Sequence, residues 1–123
     1  MSTFAEQVEA AIAAHSKWKM HLRAAISTGK SDFQVDTVKK DNACPFGQWL
    51  YSGGQAAFPT REAFEDIRGL HAKFHASAAQ VLALAVAGRA DEASKAMGFG
   101  SEFGSVSAAL VNALTKARGA AAA

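Results

Sequence analysis

At 123 residues, half of them apolar and a fifth charged, the chain has the composition of one globular domain and not of a disordered segment. A formal net charge of +2, on dispersed lysines and arginines, excludes an electrostatic nucleic-acid binder. No apolar run approaches the ~20 residues of a membrane-spanning helix, and the single cysteine, Cys44, excludes an internal disulfide.

Met1 to Glu6 carries neither the basic start nor the apolar run of a secretory signal, so a cytoplasmic protein is expected. Alanine is abundant and strand-favouring residues are sparse, which points to helices. The first helix is expected over residues 3 to 27. Phe4, Val8, Ala11, Ile12, His15, Trp18, Leu22 and Ile26 follow in steps of three and four along one face, and Gly29 is the stop. Lys17, Lys19 and Arg23 on the same helix read as a solvated face.

Residues 28 to 43 read as a loop, long enough to need an anchor, with Phe33, Val35 and above all Cys44 as candidates. A short helix is expected over Cys44 to Tyr51. Pro45 suits its first position, Phe46, Trp49 and Leu50 share a face, and Gly53-Gly54 ends it. A second long helix runs from the N-cap Thr60 to about Ala87, with Phe64, Ile67, His71, Phe74, Ala78, Val81, Leu82 and Ala85 on its apolar side. The last helix covers Ala90 to Ala117. Gly98, Gly100 and Gly104 either break it near Phe99 or let another helix approach closely, and the alanine tail after Gly119 is expected to fray. The fold class that follows is all-α, an antiparallel four-helix-type bundle with an extra short helix carrying the cysteine.

The histidines fall where leucines belong. His15 lies mid-stripe between Ile12 and Trp18, His71 occupies the equivalent place on the later helix, and His75 follows one turn on. A four-residue step leaves His71 and His75 within about 40° of each other, so both can grip one cation. A lone histidine on an apolar stripe is more often a core residue bonded to a carbonyl. Three such imidazoles and the only thiol, buried without a common partner, would be costly, and a shared metal satisfies all four. Cys44 at a helix N-terminus has its thiolate favoured by exposed N–H groups. One thiolate and three imidazoles make a tetrahedral site that suits Zn2+. His21 sits about 120° around the helix and is expected in solvent. Asp36 and Asp41 could orient a ligand imidazole, although surface charge is the plainer reading for both.

On these residues the chain resembles the chemoreceptor zinc-binding (CZB) domain family. The likeness rests on His15-Ser16-Lys17-Trp18, on Cys44-Pro45-Phe46-Gly47-Gln48-Trp49-Leu50-Tyr51 and on His71-Ala72-Lys73-Phe74-His75. It implies one zinc per chain held by His15, Cys44, His71 and His75, in a helical bundle that is often a homodimer. It also implies a sensory role in bacterial chemotaxis or cyclic-di-GMP signalling, responding to zinc or to oxidants of the cysteine. The expectation is one domain over residues 1–123, with no catalysis, a signalling-protein partner, and neither nucleic acid nor membrane bound. Four protein ligands leave no open metal position, and no carboxylate lies between His71 and His75 to act as a base. A purely structural zinc is the alternative. A di-iron bundle of hemerythrin type is disfavoured, because Lys19 and Ala25 stand where carboxylates would follow His15 and His21.

Overall fold

Helix α1 (Phe4–Thr28) starts at a reciprocal cap: the Thr3 hydroxyl accepts the Glu6 N–H at 3.1 Å, and the Glu6 carboxylate accepts the Thr3 N–H at 3.0 Å. The computed structural model describes residues 3–122, and every regular element among them is helical. After α1 come α2 (Val35–Lys39), α3 (Pro45–Tyr51), a 3-10 turn (Gly54–Ala57), α4 (Arg61–Val86), α5 (Ala90–Met97) and α6 (Glu102–Ala122). Thr60 caps α4 through the Ala63 N–H at 3.0 Å, as its position before the apolar stripe predicts.

Residue pairings give the direction of each segment. Phe4 at the start of α1 lies 5.0 Å from Phe58, just before α4, and His15 midway along α1 faces His71 and His75 midway along α4. These two helices therefore run the same way. Arg118 near the end of α6 pairs with Glu9 near the start of α1 at 3.3 Å, so α6 runs the opposite way. α6 is the second descending leg of an up-down-up-down bundle, and the chain between α1 and α4 is the first. It passes Val38 beside His75, Phe46 beside His71, and Trp49 against Phe4. The anchored loop expected from the sequence is thus a broken helical leg. Its five-residue α2 and its 3-10 turn are too short to leave a periodic signature.

The core lies between the long helices, where Leu22, Ile67, Phe74, Leu82, Phe103, Leu110 and Leu114 are all buried to 1% exposure or less. Each such side chain contributes about 1.5–3 kcal/mol on leaving water. The apolar stripe anticipated for α4 is buried throughout. The last helix breaks at residues 98–101, and Ser101 Oγ accepts the Gly104 N–H at 3.0 Å to restart it. The glycines serve that break rather than the approach of another helix: a Cβ on Gly104 would stand 2.8 Å from the Gly98 carbonyl oxygen and 3.3 Å from Ser101 Oγ, both in the turn itself. α6 runs past the end expected at Ala117, to Ala122. Among the described residues, no helix is long and apolar enough to cross a membrane.

Candidate metal centre

Three elements bring the four side chains together. α1 supplies His15, α4 supplies His71 and His75 from adjacent turns, and Cys44 is the N-cap of α3. One ligating atom from each lies within 4.8 Å of all the others. The spacing of the sequence singles out these four residues, and the structure brings all four to one point. The histidines are 3%, 0% and 3% exposed, as buried as the leucines around them.

Local chemistry explains the position of the cysteine. Pro45 keeps the preceding residue out of the helical region, and Cys44 is extended, at φ −85° and ψ 158°. Its Sγ then accepts the Gly47 N–H at 3.3 Å and stands 3.3 Å from His71 Nε2. Gly47 allows this packing. A Cβ there would overlap the Asp41 carbonyl oxygen outright and come within 2.8 Å of its carbon. Sequence reasoning passes over Gly47, although the residue is part of the Cys-Pro-Phe-Gly run.

Backbone carbonyls orient two of the imidazoles. His15 Nδ1 donates to Ala11 O at 2.7 Å, and His75 Nδ1 donates to Val38 O at 2.8 Å. With each Nδ1 proton so placed, the Nε2 atom of each ring keeps its lone pair for the centre. His75 Nε2 and His71 Nε2 are 3.1 Å apart. His71 Nδ1 is the one buried side-chain nitrogen or oxygen among the described residues with no hydrogen-bond partner. His75 Nε2 presents a lone pair to His71 Nε2, and Cys44 Sγ stands 3.3 Å from the same nitrogen, so one thiol and three imidazoles, a donor set that suits Zn2+, face a common centre. Tetrahedral zinc with bonds of 2.0–2.3 Å holds its donors about 3.3–3.8 Å apart. The closest pairs already meet that spacing, and the widest must close by about 1 Å. The residues fit the group.

Burial sets the protonation states. Loss of water drives the His15 imidazole down to about 4 against the pull of the Ala11 carbonyl, with His75 adding to the depression. Desolvation takes His71 to about 2, with His15 and His75 pushing the same way. His75 is lowered by burial too, opposed by the Val38 carbonyl and by Asp41. All three rings are therefore neutral at pH 7, the form that ligates metal. The Cys44 thiol departs from the expectation of a favoured thiolate. Burial raises its pKa, outweighing the N–H groups of Gly47, Phe46 and Cys44 itself, and Asp41 adds to the rise. A cation would have to displace that proton.

Phe46 stands edge-on to His71 at 5.2 Å, and Phe74 edge-on to His15 at 4.9 Å, so the walls are apolar. Neither Asp36 nor Asp41 orients an imidazole. Asp36 is exposed, and the Asp41 carboxylate accepts the Tyr51 hydroxyl. The carbonyls that take their place have no side-chain signature in a sequence. His21 is half-buried rather than in solvent, edge-on to Trp18 at 5.3 Å and tilted against Phe33 at 4.8 Å. It remains outside the cluster.

A helical bundle that gathers three neutral imidazoles and a thiol between apolar walls defines a class, the helical metal-binding domain with one cysteine and three histidines at its centre. The model of the chemoreceptor zinc-binding domain family matches residues 15–82, a span that includes all four side chains. The chain belongs to that family. No curated protein and no solved structure matches it. The family is one of zinc-binding domains.

Proposed function

We propose that His15, Cys44, His71 and His75 ligate one Zn2+ and that the domain is a non-catalytic regulatory module. The observation that carries this reading is the convergence of four ligating atoms within 4.8 Å, with Nδ1 of His15 and of His75 committed to carbonyls. When bound, zinc supplies a positive charge that holds the thiolate and the lone pairs together. Cys44 is the ligand that responds. It sits on the broken leg of the bundle and is partly exposed, whereas the three histidines are buried on the long helices. Loss of zinc, or oxidation of the Cys44 thiolate to sulfenic acid, frees the segment around residues 41–47 and changes its packing on α1 and α4.

Family membership supports a sensory output in chemotaxis or cyclic-di-GMP signalling, a cytoplasmic location, a homodimer and a signalling-protein partner. Zinc as a purely structural staple is the competing reading, and the complete burial of His71 favours it. Chelation separates the two. Under the regulatory reading, zinc leaves and returns reversibly while the far-ultraviolet circular dichroism keeps its helical signal. Complete unfolding on chelation would leave only the structural role.

A further inference from the structure

One opening leads towards the cluster. A cleft of about 190 Å³ lies between α1 and the Cys-Pro-Phe turn, with Gln7, Ala10 and Ala14 on one side and Pro45 on the other. Two members of the cluster, His15 and Cys44, form part of its wall, whereas His71 and His75 do not line it. Ala10 and Ala14 are exposed and stand one turn apart on α1, so their small size keeps the cleft open. Its volume corresponds to about six waters at ~30 Å³ each. The lining carries no lysine, arginine, aspartate or glutamate.

We propose that this cleft is the entry port of the cluster and that it admits small uncharged reactants in preference to ions. Cys44 and His15 are then the ligands an incoming group meets first, and ligand exchange or thiol modification begins from that side. An ion entering an apolar passage gives up hydration that nothing in the lining replaces, whereas a neutral molecule loses little. The order of ligand attack rests on the assignment of the cluster as a metal centre. The port itself does not, because the cleft is a property of the chain alone.

Two thiosulfonates that share a leaving-group type test the port. The methyl reagent is neutral, and the 2-sulfonatoethyl reagent is an anion. With either, Cys44 Sγ attacks the sulfenyl sulfur and a new disulfide bond forms. The sulfur–sulfonyl bond breaks, methanesulfinate leaves with the electron pair, and the thiol proton passes to solvent. On the metal-free protein, with each rate divided by that of free cysteine, the neutral reagent is expected to be faster by about tenfold. Ala14→Leu, at an exposed helical position that leucine tolerates, should slow the neutral reagent several-fold and leave circular dichroism unchanged. Ala10→Leu provides the same narrowing from the next turn should the first variant fold poorly. Equal normalised rates for the two reagents, or a wild-type rate in folded variants of both alanines, would overturn the port. Zinc loading should then protect Cys44. Absence of protection would overturn the metal assignment and the order of ligand attack, while the rate comparison on the metal-free chain decides the port separately.

Discussion

Gly47→Ala perturbs the centre without touching a ligand. The added Cβ would lie 2.8 Å from the Asp41 carbonyl carbon and 3.1 Å from Asn42 Cα, besides overlapping the Asp41 oxygen. All three are backbone atoms, so no rotamer change relieves the clash. Carbon atoms in contact stand about 3.5–4.0 Å apart, so α3 and the 41–42 segment must separate by at least about 1 Å, and by more to clear the Asp41 oxygen. Cys44 lies between the two, bonded to the Gly47 N–H at 3.3 Å and 3.3 Å from His71 Nε2. A shift of that size takes the sulfur out of ligating distance. The expected costs are about 1–3 kcal/mol of stability from overpacking and a loss of zinc affinity of about 10–100-fold, the range seen when the support of a metal ligand is disturbed. Competition against a chromophoric chelator reads the affinity, and a denaturant melt of the metal-free protein reads the stability. An alanine variant with wild-type zinc affinity would refute the claim that this close approach positions Cys44.

Acid should destabilise the metal-free protein. Below the ordinary histidine pKa of 6.5 the unfolded chain takes up protons that folded His15 refuses until about pH 4 and folded His71 until about pH 2. The stabilisation is complete above pH 6.5 and is lost as pH falls, each ring contributing a slope approaching about 1.4 kcal/mol per pH unit. Urea melts at pH 7 and pH 5 check this, and equal stabilities would contradict it. Tyr51→Phe removes the hydroxyl bond that ties Asp41 to α3. It should cost about 1 kcal/mol and speed zinc release to excess chelator, and an unchanged release rate would deny the tie any role. Phe74→Ala opens a cavity beside His15, His75 and Phe103. It is expected to cost about 3–5 kcal/mol in a thermal or denaturant melt.

Much of this arrangement is legible in residue spacing, because long helices and buried histidines both announce themselves by period. The eleven buried residues of α4 recur in steps of three and four apart from a few neighbours, so its core face can be drawn before any coordinate. His15, His71 and His75 stand out because polar rings interrupt otherwise apolar faces. Other features leave no such trace. The five-residue α2 has no period to detect, yet its Val38 carbonyl orients His75. Every residue has a carbonyl, so that role cannot be assigned to a type. The Cys44 thiol is misjudged from sequence because its helix N-terminus is visible there, whereas the burial that outweighs it is a tertiary property. The angle of His21 on α1 points it to solvent, but Phe33, from the following segment, folds back over it. The three glycines after Met97 leave two readings open, and the structure takes the first, a break at residues 98–101 against which Gly104 packs.

Zinc-edge X-ray absorption on the purified protein, beside its Cys44→Ser variant, tests the coordination most directly. The account predicts one zinc per chain, bonded to one sulfur at about 2.3 Å and three nitrogens at about 2.0–2.1 Å, with the sulfur signal gone and the metal less well retained in the variant. A zinc bound by nitrogen and oxygen alone in the wild type, or identical spectra from the two proteins, would contradict it.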